Sequence, residues 1–130
     1  MDGYALGPGE SVTADGDIKA GRESTGGSLT VLESRTQGGA PLHTHEREDE
    51  AMYVLEGSIW ARCGESRFEI GPRSFVFLPR GVPHEWDVVG AEAVVLIITA
   101  PGGLEEFLHD FHDAQGDRGE IARRYGIDLL

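Results

Sequence analysis

The first hundred residues of the chain alternate between short apolar runs and turns that contain glycine or proline. Short runs with β-branched or aromatic side chains, bounded by such turns, are typical of β-strands. We predict strands at Ser11–Thr13, Ile18–Ala20, Ser28–Ser34, Ala51–Glu56, Ser58–Cys63, Arg67–Ile70, Ser74–Leu78, His84–Val89 and Glu92–Ala100. In the Ser74–Leu78 strand we expect Phe75 and Phe77 to pack in the core. This pattern predicts a mostly β protein.

The periodicity changes after residue 103. Apolar residues then recur at three- and four-residue intervals, at Leu104, Phe107, Leu108 and Phe111. This spacing is typical of an amphipathic helix. A second short helix is predicted from Arg118 to Tyr125, because Gly126 follows at the position where a helix commonly ends.

The domain organisation follows from the absence of any internal repeat or long linker in the sequence. A chain of 130 residues can bury roughly two-thirds of the surface that it exposes when unfolded. We therefore predict one domain, residues 1–130, with an N-terminal arm (about 1–27), a barrel core (28–100) and C-terminal helices (102–126). Short strands followed by helices predict an all-β barrel or sandwich with a helical cover.

Charge and composition exclude several classes of partner. The chain has 11 basic and 23 acidic residues and a formal net charge of −12. Nucleic acids and anionic membranes do not attract an acidic surface, so we expect neither as a partner. Cys63 is the only cysteine, which excludes an intrachain disulfide and a cysteine zinc cluster. Its position in a turn without a paired base favours a non-catalytic thiol.

The expected compartment is the cytoplasm. The stretch MDGYALGPGE lacks the basic region and apolar core of a secretory signal. The longest apolar run, Ala93 to Ile98, is far too short to cross a bilayer. We therefore expect a soluble, cytoplasmic protein.

Candidate chemistry is concentrated in the stretch HTHEREDE, residues 43–50. In a strand His43 and His45 project from the same face, so their imidazoles can converge on one metal ion. Of the nearby acids Glu48 and Asp49 are possible ligands, and Glu50 is the best candidate. The alternative is a solvated hairpin edge with surface histidines.

Glu50 is favoured because it begins an apolar strand, where it shares a face with Met52 and Val54. That face is predicted to be interior, with Asp49 pointing outward. A buried carboxylate is costly without a compensating partner, and a metal ion would provide one. The intervening acids are expected to lie in a largely solvent-facing loop.

A third histidine, His84, lies 39 residues after His45 in the segment PRGVPHEW. Pro79 and Gly81 predict a tight turn, after which His84, Trp86 and Val88 share one face of a strand. Taken alone, His84 is better explained as a packed core residue than as a ligand.

The two histidine segments together resemble a known family. Residues 43–57 have the pattern His-x-His-x4-Glu-x6-Gly, and residues 79–84 have Pro-x-Gly-x2-His. In this order and spacing they resemble the two motifs of the cupin superfamily. The departures are Gly38, one residue closer to His43 than usual, and Arg73 and Val88, which replace a glycine and an asparagine. None of them affects a ligand position.

Longer segments, including EDEAMYVLEG, GPRSFVFLPRGVPHEW and APGGLEEF, resemble small single-domain cupins related to quercetin 2,3-dioxygenase. The resemblance implies an all-β cupin jelly-roll barrel with C-terminal helices, and a homodimer. It also implies one divalent ion (Fe, Mn, Ni, Co or Zn) inside the barrel. The implied ligands are His43, His45, Glu50 and His84.

The resemblance leaves three functions open. The first is a dioxygenase that acts on an aromatic or enolisable small molecule, with Glu50 accepting the proton of a substrate hydroxyl. The second is a non-oxidative metal-dependent isomerase or cyclase, and the third is a small-molecule binder without turnover. The substrate pocket is predicted to be apolar and to include Met52, Val54, Trp86 and Val88. Barrel core is an equally good explanation of Met52 and Trp86.

Other polar residues have simpler explanations. His109 and His112, with Glu105 one turn earlier, could form an auxiliary metal site, but a solvated helix face is the favoured interpretation. Arg80 and Glu85 flank the second motif and are predicted either to rim the pocket or to lie on the surface.

Overall fold

The computed structural model describes residues 1–14 and 16–130. Its strands are β1 (Ile18–Ala20), β2 (Thr30–Thr36), β3 (Ala40–His45), β4 (Asp49–Cys63), β5 (Ser66–Ile70), β6 (Phe75–Leu78), β7 (His84–Ala100) and β8 (Ile127–Leu129). Its helices are α1 (Arg22–Thr25), α2 (Leu104–His112) and α3 (Arg118–Arg124). The predicted all-β class with C-terminal helices is confirmed.

Two long strands organise the sheet. β4 and β7 pair antiparallel along most of their length, and β4 also pairs with β5 and β6. On its other edge β7 pairs with β2 and with β3, and β8 pairs with the free edge of β3. The shared partner β7 therefore links the strand that carries His43 and His45 to the strand that begins near Glu50.

β4 is one strand of 15 residues, where the sequence predicts two strands on either side of Gly57. Gly57 has a φ of 76° and lies where the register with β7 shifts. A Cβ at this position would lie 2.5 Å from the carbonyl oxygen of Glu92. The glycine therefore permits a bulge that bends the strand without ending it.

The interior is formed by alternate residues of the long strands. The main apolar cluster contains Met52, Val54, Ile59, Ala61, Val76, Leu78, Trp86, Ala93 and Val95. A second cluster lies under the C-terminal helices and contains Leu32, Leu104, Phe107, Ala122 and Ile127. The predicted apolar stripe of α2 thus faces the sheet. Among the described residues, no helix combines the length and apolarity needed to cross a bilayer.

Phe75 and Phe77 contradict the prediction that they pack in the core. Along β6 the burial alternates, with Val76 and Leu78 buried and the two phenylalanines exposed. The segment Phe-Val-Phe-Leu is apolar on both faces, so its composition does not indicate which face is interior. The predicted strand at Ser11–Thr13 is also wrong, because these residues lie in bends and irregular backbone.

The end of the chain contributes a strand that the sequence analysis did not predict. β8 follows α3 through Gly126, which has a φ of 74°. It pairs with β3 so that Ile127 lies opposite His45 and Leu129 lies opposite His43. The C-terminal segment therefore supports the strand that carries both histidines.

Gly39 provides a test of the close packing between β3 and β7. A Cβ at Gly39 would lie 1.9 Å from the carbonyl oxygen of Trp86, so the backbone of one strand would have to move. We expect Gly39→Ala to lower the free energy of unfolding by about 2–3 kcal/mol. The measurement is urea denaturation of the purified protein.

Gly38→Ala is the matched control, because a Cβ at Gly38 meets no atom within 4 Å. It is expected to change the free energy of unfolding by less than about 0.5 kcal/mol. Equal stability of the two variants would show that Gly39 is not required for this strand approach.

Candidate metal centre

Three strands bring the four predicted ligands together. His43 and His45 lie on β3, Glu50 lies at the start of β4, and His84 begins β7. The pairing of β3 with β7 places His43 directly opposite His84. All four side chains are buried, and one potential ligand atom from each lies within 4.8 Å of the others. The structure therefore brings together all the predicted ligands.

The turn of the second histidine segment contacts the first segment directly. The backbone N–H of Gly81, whose φ is 80°, donates a hydrogen bond of 2.7 Å to the carbonyl oxygen of His45. A glycine adopts this left-handed conformation without steric cost. The turn thus fixes the start of β7, and with it His84, against the end of β3.

The distances match the size of a metal site. Nε2 of His43 lies 3.0 Å from Nε2 of His45, which lies 3.3 Å from Oε1 of Glu50. Nε2 of His84 lies 3.8 Å from the same carboxylate oxygen. Two ligands that each lie about 2.1 Å from one ion are about 3.0–3.5 Å apart. The four atoms therefore need only small shifts to bind a common ion.

Hydrogen bonds at Nδ1 orient all three imidazoles. His43 donates to the carbonyl oxygen of Pro41 at 2.6 Å. His45 donates to a carboxylate oxygen of Glu48 at 2.6 Å. His84 donates to the carbonyl oxygen of Val82 at 3.2 Å. A neutral imidazole that donates from Nδ1 has its lone pair on Nε2. Each ring is therefore held with Nε2 facing the centre, which is the arrangement of metal-binding histidines.

One buried nitrogen indicates that the cluster fits a cation. Within residues 1–14 and 16–130, Nε2 of His84 is one of two buried side-chain polar atoms without a hydrogen-bond partner, the other being Oγ1 of Thr99. Buried polar atoms are rarely unpaired. A divalent ion would satisfy Nε2 of His84. Three imidazoles and one carboxylate suit several divalent transition metals, so the cluster could hold such an ion without indicating which one.

Without a metal ion, the pKa values of the three histidines depend on their burial and on the carboxylates of Glu48 and Glu50. Burial lowers the pKa of His43, and it lowers the pKa of His84 to about 4. Burial acts in the same direction on His45, but hydrogen bonds and charge from Glu48 and Glu50 outweigh it and raise its pKa to about 9.

The pKa of Glu50 is lowered by the neighbouring histidines. Burial raises its pKa, but the hydrogen bond and charge of His45, followed by the charges of His84 and His43, lower it overall. The buried carboxylate is therefore ionised and compensated by a proton on His45. A divalent cation would provide the same compensation, since a buried charge requires a partner.

Glu48, which the sequence offers as a possible ligand, lies beside the cluster in a different role. Its loop is predicted to be largely solvent-facing, but the Glu48 side chain is only 12% exposed and accepts the Nδ1 hydrogen bond of His45. The outward orientation predicted for Asp49 agrees with its ion pair to Arg80 at the surface. No local pattern indicated this hydrogen bond, because Glu48 lies among other acidic residues between β3 and β4.

The residues predicted to line a substrate pocket are interior. Met52, Val54 and Trp86 are buried in the main apolar cluster, and Val88 packs against it partly buried. Their role in substrate binding stays a prediction. A cavity of about 230 Å³ borders Glu48 and is lined by other residues, among them Arg47, Leu104, Phe107, Tyr125 and Ile127.

The remaining polar candidates lie on the surface. His109 is 76% exposed beside Asp110 and Asp113, and His112 is exposed as well, in agreement with a solvated helix face. Arg80 and Glu85 form ion pairs with Asp49 and Arg62, respectively. In the part of the chain that the structure describes, the cluster around Glu50 is the one convergent group of at least three potential ligands.

Solved structures share this fold at low sequence identity. KdgF from Halomonas sp. is 18% identical, with a TM-score of 0.60 over 82% of this chain and 91% of that chain. TT1209 from Thermus thermophilus is 24% identical, with a TM-score of 0.56 over 78% and 98% of the two chains. A cupin-2 domain containing protein from Shewanella frigidimarina is 19% identical, with a TM-score of 0.53 over 64% and 76%.

A family match identifies the chain, although no curated protein is significantly similar to it in sequence. Residues 30–100, which extend from β2 to β7 and contain all four ligand candidates, match the family described as Cupin domain. The predicted cupin jelly-roll fold is confirmed, whereas the narrower resemblance to quercetin 2,3-dioxygenase stays a prediction. The match covers more than half of the chain, and the chain belongs to the cupin family.

Proposed function

We propose that the protein is a metal-dependent dioxygenase that acts on an aromatic or enolisable small molecule. The observation that carries the proposal is the convergence of three imidazole Nε2 atoms and one ionised carboxylate in a buried site. Divalent ions of the types that such ligands suit commonly take five or six ligands, so four protein ligands would leave one or two positions for small molecules.

The chain's contribution is to hold and orient the ion and the substrate. A divalent ion at this site would supply Lewis acidity and, for Fe, Mn, Ni or Co, electron transfer to oxygen. The Nδ1 hydrogen bonds of the three histidines fix the ring orientations before any ligand arrives. Such preorganisation reduces the cost of assembling the reactive geometry.

Glu50 is proposed as the group that accepts the substrate's proton. Its pKa is lowered, because the neighbouring imidazoles outweigh the effect of burial, and it is therefore ionised at neutral pH. Oε1 lies 3.3 Å from Nε2 of His45, so it belongs to the centre at which a substrate hydroxyl would bind. A positioned carboxylate at hydrogen-bond distance can act as a general base.

The substrate class is proposed from the apolar interior next to the cluster. Met52 follows Glu50 on the interior side of β4, and Trp86 follows His84 on the interior side of β7. Among the described residues, the buried polar and charged side chains include neither lysine nor arginine. These neighbours favour an aromatic or polyketide-like substrate over a phosphorylated one, which would require cationic groups.

Oxygen uptake tests the proposal. The metal-free protein is reconstituted separately with Fe(II), Mn(II), Ni(II) and Co(II) and assayed with a panel of flavonols and 1,3-dicarbonyl compounds. We expect oxygen uptake that depends on the metal and at least one substrate class. Product formation that continues without oxygen would contradict the dioxygenase and favour an isomerase or cyclase, and binding without turnover would indicate a non-catalytic protein.

Glu50→Gln separates the proton transfer from metal binding. The amide keeps an oxygen that can bind a metal but does not accept a proton as the carboxylate does. In samples with metal content equal to the wild type, we expect turnover to fall about 100-fold or more, the range for loss of a general base. Full activity of Glu50→Gln at equal metal content would show that Glu50 is only a ligand.

A further inference from the structure

The cavity of about 230 Å³ that borders Glu48, called the α2 cavity below, is separate from the metal centre. None of the described residues that line it is one of the four ligand candidates. Apart from Arg47 and Glu48, the described lining residues fall outside residues 30–100, the part of the chain that matches the cupin family. The α2 cavity is therefore built mainly by the segments before β2 and after β7, and membership of the family does not account for it.

Two guanidinium groups line the α2 cavity, and each lies against a glycine. A Cβ at Gly126 would lie 2.9 Å from Cγ and Nε of Arg47, and a Cβ at Gly103 would collide with a terminal nitrogen of Arg22. Gly126 has a φ of 74° and Gly103 a φ of 127°, so the backbone also disfavours a side chain at either position. Both glycines therefore leave room for an arginine side chain at the cavity.

The two arginines retain hydrogen-bond donors for a ligand. Within the described residues the arginines that form ion pairs are Arg22, Arg35, Arg62, Arg80 and Arg124, and Arg47 is not among them. Arg22 pairs with Glu106 through Nε at 3.0 Å, and both side chains of this pair are about half exposed. A guanidinium group has five N–H donors in a planar fork that matches a carboxylate. Arg47 and the terminal nitrogens of Arg22 can therefore bind an added anion.

The charge at the α2 cavity favours an anion, although the chain as a whole is acidic. Its charged lining residues are Arg22, Arg47 and Glu48, in a chain with a formal net charge of −12. Glu48 already accepts a hydrogen bond of 2.6 Å from Nδ1 of His45, which compensates part of its charge. Gly103, the first residue of the uncapped N-terminus of α2, also lines the cavity. Aligned peptide dipoles give a helix N-terminus a partial positive charge, which adds to that of the arginines.

We propose that the α2 cavity is a binding site for a small organic carboxylate. Arg47 and Arg22 bind the carboxylate group, and the apolar body of the ligand packs against Leu104, Phe107 and Ile127, which line the same cavity. A cavity of about 150 Å³ accommodates benzene, so this larger one accommodates an aromatic ring with one carboxylate. An inorganic anion would leave the apolar walls in contact with water, and an uncharged ligand would leave the arginines without a partner.

Binding at the α2 cavity requires neither a metal ion nor the proposed reaction, because the four ligand candidates do not line it. A carboxylate can also bind a metal ion directly. The two modes differ in location, since the first contacts Gly103, Leu104 and Ile127 and the second would contact the cluster that contains His84. The position of the bound acid therefore distinguishes them.

NMR titration of the full isotope-labelled chain, with and without Zn(II), tests the site. The probes are benzoate, phenylacetate and cyclohexanecarboxylate, and the comparison compounds are benzyl alcohol, acetate and inorganic phosphate. We expect at least one of the three acids to bind under both conditions, with the largest amide shifts at Gly103, Leu104 and Ile127. We expect this acid to bind at least about 10-fold more tightly than any comparison compound, because only the acid provides both the charge and the apolar body.

Arg47→Gln is expected to weaken binding of the acid about 10- to 100-fold, because the amide lacks the charge and the forked donors of the guanidinium group. Arg47 is exposed, so the variant is expected to fold. Arg62→Gln is the matched control, since Arg62 is a partly exposed arginine on β4 that forms an ion pair with Glu85 and does not line the cavity. It is expected to bind the acid with wild-type affinity. The amide spectrum of each variant establishes that it is folded.

Several results would overturn the proposal. Failure of all three acids to bind would show that the cavity is not a carboxylate site. Phosphate or benzyl alcohol that binds as tightly as the best acid would exclude an organic carboxylate as the preferred ligand. Unchanged affinity of Arg47→Gln would exclude the arginine contact, and shifts that require Zn(II) and centre on His84 would place the acid on the metal. The dioxygenase proposal is independent of these outcomes, because oxygen uptake tests it separately.

Discussion

His84→Ala is expected to lower the affinity for divalent metal by at least about 100-fold, since loss of a residue that only supports a ligand already costs about 10- to 100-fold. His84 contributes a buried Nε2 atom without a hydrogen-bond partner, 3.8 Å from the carboxylate of Glu50. An ion bound by the other three ligands would lack the contact from β7. Isothermal titration of metal-free protein with Co(II) or Ni(II) measures the change.

The same variant separates metal binding from folding. A ligand that binds only the folded state at about 100 times its dissociation constant stabilises that state by about 2.7 kcal/mol. For a domain of this size we expect added metal to raise the melting temperature of the wild type by on the order of 10 °C. The melting temperature of His84→Ala is expected to be nearly independent of metal.

His109→Ala is the control for His84→Ala, because it removes an exposed imidazole from α2 and is expected to leave both measurements unchanged. Binding by His84→Ala with wild-type affinity would show that the β7 histidine is not a ligand. The metal centre would then have to be built from β3 and β4 alone.

Glu48→Ala is the second substitution with a large expected effect, about a 10- to 100-fold weaker metal affinity. Glu48 accepts a hydrogen bond of 2.6 Å from Nδ1 of His45 and is nearly buried. Without this acceptor the ring can rotate, or it can place its proton on Nε2, where the metal would bind. The Co(II) absorption spectrum reports the change, because ligand-field bands depend on the geometry of the ligands.

Glu48→Gln and Glu46→Ala distinguish the causes of that effect. The glutamine keeps an oxygen that accepts the Nδ1 hydrogen bond and lacks the charge, so we expect it to restore most of the affinity and the wild-type spectrum. Glu46 is exposed in the same turn, and its replacement is expected to have no effect. Equal affinities of Glu48→Ala and Glu46→Ala would contradict the positioning role of Glu48.

The convergence of His43, His45 and Glu50 could be predicted because strand geometry relates residue spacing to direction. His43 and His45 share a face by the two-residue period of a strand, and Glu50 shares the interior face with Met52 and Val54, as their burial confirms. His84 could not be assigned from its own surroundings. Its assignment required the second sequence motif, and the pairing of β3 with β7 gives the physical basis.

The exposed phenylalanines and Glu48 could not be predicted from local patterns. Phe75 and Phe77 alternate with Val76 and Leu78, so both faces of β6 are apolar in sequence, and only the packing of the whole sheet determines which side is interior. Glu48 lies in an acidic turn whose composition predicts solvent exposure. In the structure Glu48 accepts a hydrogen bond from the imidazole of His45, which lies on β3 opposite Ile127 of β8.

Strand lengths were also difficult to predict from the sequence. Gly57 has the sequence context of a turn. However, β4 continues through it as a bulge, because the residues before and after Gly57 both pair with β7. β8 has only three residues and gains its stability from pairing with β3. A strand of this length has too few residues for a periodic pattern.

The most direct test of the central claim is the metal stoichiometry of the wild-type protein. Protein purified without a histidine tag is incubated with Fe(II), Mn(II), Ni(II), Co(II) or Zn(II), freed of loosely bound ions and analysed by inductively coupled plasma mass spectrometry. The arrangement of His43, His45, Glu50 and His84 predicts one ion per chain for at least one of these metals. Protein that retains none of the five metals would contradict the assignment of this cluster as a metal centre.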